Sequence, residues 1–283
     1  MLRLVYILVF LQSLSHANVK DVVVWERTTQ KPFSLNILLR AIELTEKKYG
    51  KINLTPSMKL PQSEAQEKIF AGEIHISSMA PTKERMKRLI PIQIPLSRGM
   101  LGLRVCLIHK EDKALFQAIR KKSDFKKFGI KFAVGSEWAD KEVLLHNGLD
   151  ILEAESFEDV FKIAVKNKRI CFSRSLNEIL DEKIQSKSFN LMVESSLLIQ
   201  YDLPAYFFIS SKKPELAKRI SEGLHLLRED MEFYRSFWKK FAIAFQSVGI
   251  KNRKVIRLEM PHQYVPDEIL NDPLLWLPNR LKK

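Results

Sequence analysis

The sequence predicts an α/β protein of two lobes joined by two extended crossover strands, and three observations carry that expectation. Strand-like apolar runs alternate with stretches whose apolar residues recur at helical spacing, the pattern of βαβ units and mostly parallel sheets. The units fall into two sets, one in residues 21–77 and one in 113–172. Two long apolar segments, 101–109 and 195–201, carry the chain from one set to the other and back.

Taken in order, residues 21–25 read as a short apolar strand. Leu35, Leu38, Leu39, Ile42 and Leu44 then mark one face of a helix over 35–49 that stops at Gly50. Residues 51–55 read as a strand, 63–71 as a helix stopped by Gly72, and 74–77 as a third strand. The second set comprises helix 113–121, strand 131–134, helix 140–146 with Gly148 beyond it, strand 150–152, helix 157–166 and strand 169–172. The chain then returns to a strand at 206–210 and to helices at 214–228 and 231–245. The lobes that follow are a discontinuous lobe one, 18–104 and 196–283, and a lobe two of 105–195. Rigid halves on a paired hinge suit closure around a ligand, because two strands that bend at one place let the halves rotate.

Met1-Leu2-Arg3, an apolar run to Leu11 and the small residues Ser15 and Ala17 have the order of a cleaved secretory signal over 1–17. No segment is long enough to span a membrane as an apolar helix. An exported chain meets an oxidising compartment, where Cys106 and Cys171 either pair or stay as two buried thiols. Their apolar, strand-like runs favour the thiols.

The chain of 283 residues is 46% hydrophobic and 28% charged, enough for a sizeable core. Its 47 Lys and Arg against 33 Asp and Glu raise nucleic acid, an anionic membrane and acidic ligands as partners. The 9 glycines form neither GxGxxG nor a Walker-type loop. The 6 histidines are scattered and HExxH, CxxC and GxSxG are all missing, so no cofactor and no metal is expected.

The segment A-G-E-I-H-I-S-S-M-A-P-T-K-E-R (71–85) runs a short strand into S-S-x-x-x-T-x-x-R and resembles the bacterial periplasmic solute-binding proteins of extracellular family 3. Residues 91–105, 201–209 and 214–224 resemble an uncharacterised Gram-negative subgroup of it. The resemblance implies the type II periplasmic binding fold, a periplasmic location and a non-catalytic role in solute uptake, amino acid transport among them. A small polar solute and an ABC importer or sensor kinase are the implied partners of a monomer.

The resemblance also implies site residues. Arg85 matches the arginine that grips a ligand carboxylate with its planar fork, although it also belongs to the basic run 83–88 and could lie on a solvated face. Ser78 matches a hydroxyl donor or caps the next turn, and Trp25 stacks on the ligand or fills the core. In lobe two, the turn 135–140 is where backbone amides and hydroxyls meet the ligand; Ser136 serves there or as an N-cap, and Trp138 there or in packing.

Two departures bear on the ligand. Ala80 stands where amino-acid-binding members have a hydroxyl, and 169–174 contains no carboxylate to pair with a ligand ammonium. An unpaired buried ammonium is costly, so the expected solute is anionic, with Arg174 facing Arg85 across the cleft. Two other functions compete: an interaction protein with a degenerate pocket, and a dehydratase-like enzyme using Glu137 or Asp140 as base. Residues 105–195 hold 16 basic and 15 acidic residues, leaving the charge excess on lobe one. That distribution argues against nucleic acid and for peripheral membrane contact or an acidic partner through lobe one.

Overall fold

The first βαβ units form where the apolar periodicity places them. The computed structural model describes residues 20–176, 178–179, 189–229 and 231–277, so the expected signal segment 1–17 lies outside the described residues. Strand β1 (Lys20–Val24) runs through α1 (Glu26–Thr29), α2 (Pro32–Leu44) and α3 (Glu46–Tyr49) to β2 (Ile52–Pro56). Helix α4 (Gln62–Ala71) then leads to β3 (Ile76–Met79), and β1 is parallel to both β2 and β3. The helix expected over 35–49 breaks at Thr45, whose hydroxyl donates back to the Ala41 and Ile42 carbonyls. Two further elements, α5 (Lys83–Arg88) and β4 (Leu89–Ile92), are not announced by the patterning.

The chain then crosses to the second sheet through β5 (Leu103–His109). Helices α6 (Lys113–Gln117) and α7 (Lys122–Lys127) replace the single helix expected at 113–121. They lead to β6 (Lys131–Gly135), α8 (Asp140–His146), β7 (Ile151–Ala154), α9 (Phe157–Lys166), β8 (Ile170–Ser175), β9 (Leu191–Val193) and β10 (Leu197–Gln200). A second crossing returns the chain to β11 (Tyr206–Ser210), which inserts between β3 and β4 and is antiparallel to both. The first sheet therefore has the order β2-β1-β3-β11-β4. Both sheets are mixed rather than mostly parallel, because each crossing strand arrives from the other lobe and runs against its βαβ neighbours.

The C-terminal quarter departs from the expected lobe boundary. Helix α10 (Pro214–Glu229) packs in the first core, but the aromatic face of α11 (Met231–Ser247), with Phe237, Phe241 and Phe245, packs in the second core with Val105 and Phe172. Strand β12 (Lys254–Arg257) then pairs with β10, covering an otherwise open edge of the second sheet, whose order is β12-β10-β5-β8-β6-β7 with β9 on β5. The chain finally returns to the first lobe, where α12 (Asp267–Asn271) contributes Ile269, and Leu275 and Trp276 follow it into the core. The chain thus passes between the lobes four times, not twice.

This path corrects the charge partition. Residues 231–257 carry 7 basic residues and 1 acidic one. Counted with the lobe they pack on, they leave 23 basic and 17 acidic residues in lobe one and 23 and 16 in lobe two. With net charges of +6 and +7 the lobes are nearly equal, so charge does not single out lobe one for contact with an anionic membrane.

The two hinge segments touch. Tyr201 N–H donates to the Gly102 carbonyl, and a Cβ at Gly102 would lie 1.8 Å from the Tyr201 carbonyl oxygen, so only glycine permits the approach. Beyond the hinge, Cys106 on β5 and Cys171 on β8 form a disulfide with Cα atoms 4.9 Å apart, which overturns the expectation of two thiols. The apolar runs that suggested separate buried cysteines are adjacent antiparallel strands. Among the described residues, no helix is long and apolar enough to cross a membrane, and no cluster of metal-ligating side chains occurs.

Candidate functional site

A cavity of about 190 Å³ lies between the lobes at the carboxyl ends of β1, β3, β6 and β8, where open α/β sheets place their ligands. Five of the six expected site residues line it: Trp25, Ser78 and Arg85 from lobe one, Trp138 and Arg174 from lobe two. Ser136 is not among them. Its N–H donates to the Ala154 carbonyl, and it is not an N-cap either, since Ala139 holds that position on α8.

Arg85 is buried, not on a solvated face. It lies on the first turns of α5, capped by Thr82, whose hydroxyl accepts the Arg85 N–H; Ser78 therefore has no capping role there. The guanidinium donates to Gln66 Oε1 at 2.7 Å, to the Ala80 carbonyl at 3.0 Å and, across the cleft, to the Glu137 carbonyl at 3.1 Å. Three of its five N–H groups are thereby engaged. Burial pushes its pKa down to about 10, against the pull of Glu137 and Glu84, so it stays charged at neutral pH. Gln62 donates to the same Glu137 carbonyl at 3.0 Å. The lobes are closed on one another here, and the turn 135–140 offers the opposing lobe a carbonyl rather than the amides expected of it.

Trp25 packs with Ile69 and Phe208, as a core residue would, and also lines the cleft. Trp138 lies over the strand end only because residue 135 is glycine; a Cβ there would meet the indole at 2.5 Å. Its ring stacks on Phe172, and the Arg174 guanidinium lies about 5 Å from the Trp138, Phe157 and Phe172 centroids. Arg174 and Arg85 line the same cavity from opposite lobes, as expected.

Sequence reasoning missed four charged groups of the cleft: Arg27, Lys31, Arg104 and Glu178. Arg104 stands in the hinge strand and pairs with Asp140 at 2.7 Å. Tyr201, on the other hinge segment, donates a short hydrogen bond to the same carboxylate. Desolvation opposes the Arg104 charge, but Asp140, Tyr201 and Glu178 outweigh it and hold its pKa above the ordinary arginine value. Burial raises the Tyr201 pKa well above the phenol range.

Residues 169–174 contain no carboxylate, but Glu178, just beyond them, brings one to the cleft. It lies one turn beyond Arg174, 3.3 Å from that guanidinium, and accepts from the Ser175 hydroxyl at 2.6 Å. Desolvation would raise its pKa, yet Arg174, Arg104, Ser175 and Lys31 pull it down to about 2. Lys31 is reached by solvent through the cleft, but protein surrounds its amine closely enough that desolvation lowers its pKa. Arg27 and Arg174 add to that shift and Glu178 opposes it. The cavity thus gathers five cationic side chains against two carboxylates.

This two-lobed geometry recurs in solved structures. An ancestral arginine-binding protein bound to arginine matches with a TM-score of 0.54 at 16% identity, over 79% of this chain and 97% of its own. The chain has the two-lobed periplasmic binding protein fold. The GluR0 ligand-binding core in complex with L-glutamate shares it, with a TM-score of 0.55 at 18% identity, over 80% of this chain and 99% of its own. So does a periplasmic His/Glu/Gln/Arg/opine family-binding protein from Silicibacter pomeroyi in complex with lysine, with a TM-score of 0.54 at 10% identity, over 79% and 96%. No protein-family model and no curated protein matches the chain.

Proposed function

We propose that this protein is a non-catalytic periplasmic solute-binding protein that closes its lobes around a small anionic solute and presents the closed form to an ABC importer or a sensor. The observation that carries the reading is the charge of the interlobe cavity. Arg27, Lys31 and Arg85 add to an Arg104, Arg174, Asp140 and Glu178 network that is nearly neutral in itself. An anion entering it meets Arg85, buried and held by Gln66, beside the more exposed Arg27 and Lys31, which favours acidic solutes over neutral ones.

Arginine, L-glutamate and lysine are bound by the three similar proteins, which supports a small polar solute. Glu178 could in principle meet an ammonium, but Arg174, Arg104 and Lys31 already surround it. Of the two acids available to a dehydratase-like mechanism, Asp140 is held by Arg104 and Tyr201. A degenerate pocket is disfavoured by the number of buried charged groups still arranged around a cavity.

Native mass spectrometry of the protein purified without denaturation tests the reading. Wild type is expected to carry a small acidic molecule that Arg85→Lys, which keeps the charge but loses the fork, retains poorly. A neutral or cationic adduct in wild type, or equal retention by the variant, would contradict it.

A further inference from the structure

Beside the cleft lies a second cavity, of about 330 Å³, between the start of α2, the loop before β5 and the C-terminal half of α11. The two spaces share a waist formed by Lys31, Ser78, Met79, Ala80, Leu101 and Glu178, so one solute can reach into both. Met79, Ala80 and Leu101 give this waist an apolar side, in contrast to the charged Lys31 and Glu178.

Past the waist the walls are mainly apolar, built by Phe33, Leu96, Leu176, Ala205 and Phe241. Gln30, Ser34, Ser97 and Lys240 add polar groups to this lining, and Ser97 stands out among them. Ser97 lines this chamber but not the cleft, is only 7% exposed, and its hydroxyl has no hydrogen-bond partner among the described residues. Trp25, which lines the cleft, is also buried, and its indole N–H has no partner among the described residues. Buried polar atoms are almost always satisfied, and an indole can only donate, so a solute atom that reaches either group gains a hydrogen bond the chain leaves open.

We infer, granted the solute-binding reading, that the site takes an elongated carboxylate. Its acid group lies in the cationic cleft, where the Trp25 N–H and the Arg85 fork supply donors. Its apolar body passes the waist between Ala80 and Leu101 into the chamber, where a single polar atom meets Ser97. The cleft selects charge, while the chamber selects length and apolar bulk.

Isothermal titration with malonate, acetate, butanoate, hexanoate, 3-phenylpropanoate and 3-(4-hydroxyphenyl)propanoate tests this. In wild type, affinity is expected to rise about fourfold for each methylene added along the aliphatic series. The phenol is expected to bind more tightly than the phenyl compound, an advantage that Ser97→Ala removes. Ala205→Phe, at a partly buried wall position, is expected to flatten the length dependence while leaving malonate and acetate unchanged. Should Ala205→Phe not fold, Ser97→Ala carries the test, since it removes one atom. Malonate binding with no gain from added methylenes, or a phenol advantage untouched by Ser97→Ala, overturns the elongated ligand and leaves the anion reading standing. If none of the six binds, the anionic-solute reading fails, and this inference with it.

Discussion

At the scale of single residues, the cleft depends on carboxylates that hold its cations in place. Glu178 keeps Arg104, Arg174 and Lys31 from facing one another unscreened, and those same charges hold its pKa down. The sign follows from the direction of the shift. A carboxyl whose folded-state pKa, about 2, lies below its ordinary value of 4.5 contributes its full stabilisation above pH 4.5. That contribution is lost as pH falls toward 2. Allowing for its partial exposure, Glu178→Gln is expected to cost on the order of 2 kcal/mol at pH 7. The gap to wild type should close steadily in urea titrations between pH 4.5 and 2.5, whereas a constant gap would mean that the pairing contributes nothing. Arg85, Trp25 and Arg174 were legible from the sequence, because a strand end and a strand-to-turn motif place them. Arg104 was legible in principle, since a charge inside the apolar run Leu103–His109 must find a partner. Glu178 was not, because its role comes from a turn that folds it back on Arg174.

Among the elements, the βαβ strands and helices follow the periodicity closely, and the misses share one cause. Strands β4, β9 and β12 are short, and they exist because a neighbouring edge needs covering, a tertiary fact that a local pattern does not contain. The same holds for α11, whose aromatic face predicts a buried helix but not which core receives it. Pairing of Cys106 with Cys171 likewise depends on strand order, not on the runs themselves. The bridge joins β5 to β8 across a sequence separation of 65, and a closed loop of that size restricts the unfolded chain by about 4 kcal/mol in the chain-entropy account. Lobe two is therefore expected to unfold at a markedly lower urea concentration after reduction or in the Cys106→Ala/Cys171→Ala variant. Coincident transitions with and without reductant would contradict a bridged native state.

For the molecule as a whole, two-lobed closure was readable in the order of the elements, but the number of connections was not. The C-terminal chain adds two passages between the lobes, and Asn147, which exchanges hydrogen bonds with the Glu259 backbone, fastens the last of them to lobe two. Closure brings Arg85 and Gln62 of one lobe to the Glu137 carbonyl of the other. The even division of charge between the lobes turns attention from the outer surface to the cavity, where five cations are concentrated and Arg85, Arg104 and Arg174 are buried. The central claim is that this cavity selects a small anion. Titration calorimetry of the wild-type protein against dicarboxylates, acidic dipeptides and neutral amino acids at equal ionic strength tests it most directly. The account predicts measurable binding of at least one acidic compound, weakened at least tenfold in Arg85→Lys. Tight binding of a neutral amino acid, with no response to the acidic compounds, would contradict it.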